Sequence, residues 1–286
     1  MRILNASGCL DGLTAPAQSL DSFVTKTVTP LPRAGNPPPR IAEVEGGMLN
    51  SIGLQNPGIE VFVTNVLPRL VEVGVPIWVS VGGFSAGDYT TLCERLDEYD
   101  DVATIELNLS CPNVEEAPET ASELVAAARA ATAKPLFAKL SPATWDIAET
   151  ARAVADAGAD GLALVNTIRG LALDENLRPR LGSGTGGYSG PALKPIALAC
   201  VYACANAVDL PIVGMGGVSN GRDALEFAAV GASAVALGTI LFSDPSAPDR
   251  VRAEIESETL TIGYELTKGK RPDVSNSATF PTVSAK

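Results

Sequence analysis

The stretch ELNLSCPN, residues 106–113, places a cysteine between two asparagines at the point where an alternating apolar segment ends. A structural cysteine usually lies among apolar residues, whereas Cys111 has hydrogen-bonding neighbours and is followed by a proline. A thiol in polar surroundings can ionise and act as a base or a nucleophile. Cys111 is therefore the candidate catalytic residue, and the alternative is an inert thiol that only packs.

The chain contains no histidine among its 286 residues. This absence excludes Ser-His-Asp and Cys-His nucleophile systems, histidine-ligated zinc and a histidine general base. The five cysteines show no C-x-x-C spacing, so the sequence predicts no metal site and a reducing compartment. Any proton transfer has to use Cys, Asp, Glu, Lys, Tyr or Ser.

The formal net charge of −12 argues against a nucleic-acid partner and against binding to an anionic membrane surface. The N-terminal residues lack the charged and apolar regions of a signal peptide. No apolar run approaches the roughly 20 residues of a membrane span. We therefore expect a cytoplasmic protein.

Short apolar segments alternate with amphipathic helical patterns along the chain, which predicts a single-domain (β/α)8 barrel over residues 1–257. A last helix is expected from about Asp249 to Ser257, followed by a polar, flexible tail over residues 258–286. A doubly wound open sheet is the alternative, but no G-x-G-x-x-G follows an early strand. The predicted strands are Ile3–Asn5, Phe23–Lys26, Ile77–Val81, Thr104–Leu109, Leu136–Leu140, Gly161–Asn166, Pro211–Gly214 and Ala234–Gly238.

Lysines, asparagines, hydroxyl residues and glycines stand at the ends of these strands. In a barrel, the carboxyl ends of the strands form the active site. Two lysines and several asparagines at one mouth predict a small-molecule site, whereas the simpler interpretation is that strand ends are polar because they meet water. The residues concerned are Ser7, Lys26, Ser80, Asn108, Cys111, Asn113, Lys139, Asn166, Thr167, Gly216, Gly217, Gly238 and Thr239.

Two glycine-rich turns follow the last two predicted strands, VGMGGVSNGRDA and ALGTI. Phosphate groups in barrels often bind at this position, on backbone N–H groups that glycine leaves accessible. A phosphorylated cofactor or substrate is therefore expected.

Ten motifs in order through residues 5–239 resemble the FMN-binding catalytic subunit of class 1 dihydroorotate dehydrogenases, and class 1B in particular. GMLNSIGLQNPG and NLSCPN carry the most specific part of this resemblance. The motifs are NASGC, TKTVT, PRAGNPPPR, GMLNSIGLQNPG, ELNLSCPN, AKLSP, LVNTIRG, GGYSGPALKPIAL, GMGGVSNGRDALEF and ALGT.

The resemblance implies oxidation of dihydroorotate to orotate in UMP biosynthesis, with Cys111 as the base that takes the C5 proton and flavin N5 as the acceptor of the C6 hydride. The substrate-binding positions that it implies are Lys26, Asn50, Ser51, Ile52, Gly53, Leu54, Asn108, Asn166 and Thr167. The FMN-binding positions that it implies are Ser7, Lys26, Thr27, Ser80, Asn108, Lys139, Val165, Gly190, Gly216, Gly217, Gly238 and Thr239. Position 80 departs from the family pattern, which commonly has asparagine there.

The resemblance also implies one FMN per chain and a partner subunit that carries FAD and a [2Fe–2S] cluster and reduces NAD⁺. The implied assembly is a homodimer within a heterotetramer. Two alternatives that use flavin stay open: a fumarate-linked class 1A-like enzyme and a dihydropyrimidine dehydrogenase-like pyrimidine reductase. A flavin-free, phosphate-binding aldolase or isomerase is a third alternative, and in the aldolase Lys139 would form a Schiff base. A non-catalytic scaffold is the last alternative.

Overall fold

The apolar segments predicted as strands pair in parallel into one eight-stranded sheet. The computed structural model describes residues 1–12, 17–109 and 120–266, with side chains up to residue 259. The strands of this part are β1 (Arg2–Asn5), β2 (Phe23–Val24), β3 (Ile41–Val44), β4 (Gly47–Asn50), β5 (Ile77–Val81), β6 (Val102–Asn108), β7 (Leu136–Leu140), β8 (Gly161–Leu164), β9 (Ile168–Gly170), β10 (Gly186–Ser189), β11 (Ile212–Met215) and β12 (Ala234–Leu237). The parallel sheet has the order β1-β12-β11-β8-β7-β6-β5-β2, which confirms the (β/α)8 barrel.

The barrel closes between β1 and β2 with the help of a side chain. Asn5, which is fully buried, donates from Nδ2 to the carbonyl of Val24 at 2.7 Å and accepts from the Val24 N–H at Oδ1 at 2.8 Å. Below it, the Asp21 N–H donates to the carbonyl of Ile3 at 2.9 Å. The amide of Asn5 thus replaces two main-chain hydrogen bonds where the two backbones separate.

The second barrel strand is shorter than the predicted Phe23–Lys26 because the chain bulges after Val24. The Thr25 N–H donates to Trp78 O and the Val28 N–H donates to Ser80 O, each at 2.9 Å. The segment advances by three residues, from Thr25 to Val28, while β5 advances by two, from Trp78 to Ser80. One extra residue is therefore left without a partner in the pairing of the two strands, which is a β-bulge. The bulge falls at Lys26 and Thr27, two of the predicted site residues.

The sequence did not predict a second sheet, which is four-stranded and antiparallel with the order β3-β4-β10-β9. Its strands come from the segments that follow β2 and β8, so the sheet lies at the carboxyl ends of the barrel strands. A small apolar cluster of Ala42, Leu49 and Leu181 packs under it. This sheet adds a second wall to the mouth of the barrel.

The helices of the described part are α1 (Ile59–Val61), α2 (Leu67–Val71), α3 (Ala86–Asp97), α4 (Ala121–Ala131), α5 (Ile147–Asp156), α6 (Lys194–Ala205), α7 (Gly221–Ala229), α8 (Ile240–Ser243) and α9 (Ala247–Leu266). A π-helical turn, Phe62–Val66, joins α1 to α2. Pro68 lies in the first turn of α2 and has no N–H with which to donate a helical hydrogen bond. The side chains of Ser85, Thr120, Asp146 and Asn220 cap α3, α4, α5 and α7.

Helix α9 continues past the predicted end at Ser257 and reaches Leu266. The predicted division between a barrel and a flexible tail at residue 257 stays a prediction. No helix in residues 1–12, 17–109 and 120–266 is long and apolar enough to span a membrane.

Two apolar cores flank the barrel wall. The larger core lies between the strands and the surrounding helices and includes Ile105 and Leu107 on β6. The smaller one fills the inside of the barrel, where the rings of Trp78 and Phe137 lie 4.6 Å apart between centroids. Because side chains alternate along a strand, Glu106 faces the barrel interior, above this apolar plug.

Candidate active site

A cavity of about 430 Å³ lies at the carboxyl ends of the barrel strands, between them and the four-stranded sheet. Its volume is in the range of small-molecule sites. The cavity brings together the predicted site residues Ser7, Lys26, Thr27, Asn50, Ser51, Ile52, Gly53, Leu54, Asn108, Lys139, Val165, Asn166, Thr167, Gly190, Gly216, Gly217, Gly238 and Thr239.

Three of the predicted residues are not among the described residues that line this cavity. Cys111 and Asn113 lie outside the described residues, which end at Leu109 and resume at Thr120. Ser80 is fully buried, and its hydroxyl lies 3.0 Å from Oγ1 of Thr27. Direct contact between Ser80 and a ligand is therefore not supported, because Thr27 stands between Ser80 and the cavity.

Thr27 is the centre of a hydrogen-bond network on the cavity floor. Its Oγ1 lies 3.2 Å from the hydroxyl of Ser7, which itself donates to Thr25 O at 2.8 Å. Asn108 donates from Nδ2 to Thr27 Oγ1 at 3.3 Å. Because the Ser7 proton is used by Thr25, Thr27 donates to Ser7 and accepts from Ser80 and Asn108. The network fixes the orientation of the Asn108 amide.

Asn50 and Thr167 are positioned by the four-stranded sheet. The Nδ2 of Asn50, at the end of β4, donates to Gly187 O on β10 at 3.3 Å. A Cβ atom at Gly187 would lie only 2.1 Å from Oγ1 of Thr167, so glycine is needed for this close approach. The Oγ of Ser51 accepts from Nδ2 of Asn36 at 2.7 Å.

Two lysines and one carboxylate give the cavity floor a positive charge. Lys139 Nζ lies 3.5 Å from Oε1 of Glu106, and both side chains are buried. Lys26 is accessible because it faces the open cavity, yet the surrounding protein lowers its pKa by desolvation, and the charge of Lys139 lowers it further. The site therefore favours an anionic ligand.

The sequence analysis did not assign Cys9 to the site, although this thiol lines the cavity. Burial raises the pKa of Cys9, and the opposing effects of Lys139 and Lys26 do not overcome this desolvation. Cys9 is therefore a poor source of thiolate near neutral pH.

The glycine turns form a cradle of backbone amides. Gly216 has a φ of 118° and Gly217 a φ of 87°, a region that side chains other than glycine rarely adopt. Within the described part of the chain, the amides of these two glycines donate no hydrogen bond. A Cβ atom at Gly217 would lie 2.9 Å from Gly190 O and from Cβ of Lys194. Amides kept accessible in this way are suited to phosphate oxygens.

Arg33 and Phe84 are further cavity residues that the sequence analysis did not assign. The guanidinium carbon of Arg33 lies 4.6 Å from the centroid of the Phe84 ring, a cation–π contact. These residues come from segments after β2 and β5, and no spacing in either segment indicates that they meet. No group of three or more His, Cys, Asp or Glu side chains in the described ranges could hold a metal ion.

A (β/α)8 barrel with lysines, amides and a glycine cradle at one mouth has the organisation of a barrel enzyme that binds a phosphorylated, anionic ligand. A family model described as dihydroorotate dehydrogenase matches residues 2–259. The chain belongs to the dihydroorotate dehydrogenase family and is an oxidoreductase, as the resemblance in sequence predicted.

Curated relatives are similar over most of their length. The proteins of Geobacter sulfurreducens and Halalkalibacterium halodurans are both named dihydroorotate dehydrogenase B (NAD(+)), catalytic subunit. The Geobacter sulfurreducens protein is 48% identical, and the match covers 84% of this chain and 81% of that protein. The Halalkalibacterium halodurans protein is 44% identical, and the match covers 86% of this chain and 83% of that protein. A solved structure of DHODH from Eimeria tenella in complex with ferulenol has a TM-score of 0.76, with 24% identity over 92% of this chain and 82% of its own. That structure shows the fold alone.

Proposed function

We propose that this chain oxidises dihydroorotate to orotate with FMN as the immediate electron acceptor, in the synthesis of UMP. The observation that carries the proposal is the meeting of two lysines, three amides and a glycine cradle in one cavity of a family member. The names of the curated relatives support the same reaction.

The reaction removes a proton from C5 and a hydride from C6 of dihydroorotate, and a C5–C6 double bond forms. FMN, when bound, supplies the acceptor for the hydride and its two electrons. Cys111 is proposed to take the C5 proton as thiolate, because a carbon acid beside a carbonyl needs a base with a pKa not far from neutral. The raised pKa of Cys9, a thiol that lines the cavity, makes Cys9 the weaker candidate for this role.

The donor set of the cavity fits the substrate. Lys26 supplies positive charge for the carboxylate of dihydroorotate, and Asn50, Asn108 and Asn166 offer amide donors and acceptors to its imide edge. The hydrogen bonds among Thr27, Asn108 and Asn166 hold these amides before a ligand arrives, which reduces the cost of ordering them on binding.

The remaining residues fit FMN. The amides of Gly216 and Gly217, which donate no hydrogen bond within the described residues, would hold its phosphate, with Gly190, Gly238 and Thr239 beside them. Lys139 would lie toward the flavin ring, where its ammonium can stabilise the negative charge of the reduced form. Val165, Ser7 and Thr27 line the cavity as well.

The proposal includes a partner subunit with FAD and a [2Fe–2S] cluster that passes the electrons to NAD⁺. The relatives named as catalytic subunits of an NAD(+) enzyme support it. A homodimer within a heterotetramer and a cytoplasmic location belong to the same proposal.

The test is anaerobic titration of the purified chain, with its flavin absorption followed during each addition. Dihydroorotate is expected to bleach the flavin, and dihydrouracil is not. Bleaching by dihydrouracil alone would indicate a pyrimidine reductase, and a chain without flavin would indicate the aldolase. Rapid turnover with fumarate and no effect of the partner subunit would contradict the NAD⁺ assignment in favour of a class 1A-like enzyme.

A further inference from the structure

Asn56 is a buried residue beside the cavity for which the proposed reaction has no role. It belongs to the motif GMLNSIGLQNPG, is 8% exposed and is not among the described residues that line the cavity. Its Oδ1 accepts from the N–H of Thr29 at 3.1 Å and from the N–H of Gly58 at 2.8 Å. Its Nδ2 donates to Oγ1 of Thr29 and to O of Leu54, each at 2.7 Å. A side-chain amide with every donor and acceptor used in this way has one fixed orientation.

The main chain of Asn56 connects the same two parts of the cavity wall. Its N–H donates to O of Arg33 at 3.2 Å, and its O accepts from the N–H of Arg33 at 3.0 Å. Arg33 follows β2 and lines the cavity, whereas Asn56 follows β4. Asn56 therefore fixes the segment after β4 against the segment after β2.

Leu54 has a backbone conformation that leucine normally avoids. Its φ is 56°, and the preceding Gly53 has a φ of 72°. In the left-handed region the Cβ atom of a leucine comes too close to the following carbonyl oxygen, so this conformation persists only where the surroundings stabilise it. The hydrogen bond from Nδ2 of Asn56 fixes this same carbonyl, that of Leu54.

The turn that contains Leu54 presents backbone amides at the cavity. Ile52, Gly53 and Leu54 line the cavity, and their N–H groups donate no hydrogen bond within the described part of the chain. Amides of this kind suit a negatively charged ligand. A return of Leu54 to negative φ would rotate the peptide groups on either side of it relative to each other, and the N–H groups would change direction.

We propose that Asn56 is a positioning residue that keeps Leu54 in the left-handed conformation, so that the turn Ile52–Leu54 is formed before the substrate binds. This inference rests on the proposed function, in which the turn meets the anionic substrate. A turn formed in advance lowers the cost of ordering it on binding. Loss of the contact should therefore weaken binding of the substrate or product and leave binding of FMN unchanged.

Asn56→Asp tests the contact selectively, because it keeps the oxygen that accepts from Thr29 and Gly58 and replaces the donor to Leu54 O by a second oxygen. Orotate binding to the FMN-saturated chain, measured by isothermal titration calorimetry, is expected to weaken about tenfold or more. Asn5→Asp is the control, since it makes the same change at a fully buried amide of the barrel closure. It should lower the melting temperature and keep orotate affinity, and equal weakening in both variants would overturn the inference.

Leu54→Gly separates positioning from the charge of the new carboxylate. Glycine adopts positive φ without strain, so Asn56→Asp is expected to weaken orotate binding by less than about threefold when Leu54→Gly is also present. Leu177→Gly is the matched control, since Leu177 has a φ of 59° but is exposed and is not among the described cavity residues. Combined with Leu177→Gly, Asn56→Asp should keep its full effect. An equal effect of Asn56→Asp in all three backgrounds would overturn the inference, because a charge effect does not depend on Leu54.

If Asn56→Asp fails to fold, Thr29→Val makes an uncharged change at the same amide. It removes the Oγ1 that accepts from Nδ2 of Asn56 and is expected to weaken orotate binding about threefold, with recovery when Leu54→Gly is added. Absence of that recovery would overturn the inference. Orotate that binds as expected while dihydroorotate leaves the flavin oxidised would contradict the proposed function alone, and a native chain that binds no orotate would contradict both.

Discussion

Nδ2 of Asn166 donates to Oδ1 of Asn108 at 3.1 Å, although 58 residues separate the two in sequence. Asn166 follows β8 and Asn108 ends β6, so the hydrogen bond crosses the mouth of the barrel in front of β7. Oδ1 of Asn166 in turn accepts from the Thr167 N–H at 2.8 Å. These hydrogen bonds fix which end of each side-chain amide is the oxygen and which is the nitrogen. The pair therefore presents a defined set of donors and acceptors to a ligand.

Asn108→Asp is expected to weaken orotate binding about 10- to 100-fold, which corresponds to about 1.5–3 kcal/mol. The substitution removes the N–H that Thr27 accepts and places a carboxylate beside an anionic ligand. Orotate affinity is measured from the change in the flavin spectrum. Asn206→Asp, at an exposed position after α6, is the control, and equal weakening in both variants would contradict a role for the Asn108 amide.

Cys111→Ser is expected to slow reduction of the flavin by dihydroorotate by at least about 100-fold, because a hydroxyl is a far weaker base at neutral pH. With Cys111 present, the rate of reduction should increase with pH until the thiol is ionised. Stopped-flow absorbance under anaerobic conditions measures both effects.

The thiol of Cys9 provides the comparison for this experiment. Because burial raises its pKa, Cys9 should stay protonated through the same pH range, and Cys9→Ala should keep the pH-dependent increase. Loss of that increase in Cys9→Ala, with its retention in Cys111→Ser, would assign the base to Cys9 instead.

Gly217→Ala is expected to weaken FMN binding by about tenfold or more, as measured by fluorescence titration of the apoprotein. The new Cβ would meet Gly190 O and Lys194, so the turn has to move away from the position in which its amides are accessible. Gly74→Ala is a matched control, since Gly74 has a φ of 81° but no atom of the described residues within 4 Å of an added Cβ. It should lower the melting temperature through backbone strain and leave FMN affinity unchanged. Equal loss of affinity in both variants would show that strain alone is responsible.

The strand-end positions of the site could be predicted from sequence because one rule connects them. Parallel strands in a barrel bring their carboxyl ends to one mouth, so Lys26, Asn108, Lys139 and Asn166 had to meet once the strands were identified. The resemblance added Asn50, whose β4 strand no alternation indicated. These predictions depend on local pattern or on motif, and both are visible in one sequence.

The remaining features depend on pairing between distant segments. Strands β4 and β10 have four residues each, and their register is set by contact across 137 residues. Glu106 looks like an ordinary polar residue in an alternating strand, and only the structure shows that its polar face is the barrel interior. Ser80 occupies the strand-end position that the rule predicts, yet Thr27 separates it from the cavity because of the bulge after Val24.

Asp223→Asn is expected to destabilise the turn after β11, fully above the unfolded pKa of an aspartate near 3.9 and progressively less as the pH falls below it. Asp223 is 5% exposed, accepts from the N–H and the hydroxyl of Ser219 at 2.9 Å each, and lies against Nζ of Lys194. Desolvation raises the pKa of Asp223, but the hydrogen bonds from Lys194 and Ser219 outweigh it, so the pKa is lowered overall. A lowered pKa in the folded state means that the carboxylate adds stability above the unfolded value near 3.9, and that this stability is lost as the pH falls through the folded value.

The expected loss in Asp223→Asn is about 1.5–3 kcal/mol at neutral pH, since the removed hydrogen bonds involve a charged acceptor and Lys194 is partly exposed. Urea unfolding of the native chain and the variant at a series of pH values measures it, and the two free energies of unfolding should converge as the pH falls through the lowered pKa of Asp223. Asp156→Asn, near the end of α5, is the control, because a neutral side chain there should change stability little at any pH. A constant difference down to the lowest pH would mean that Asp223 acts through packing rather than through its charge.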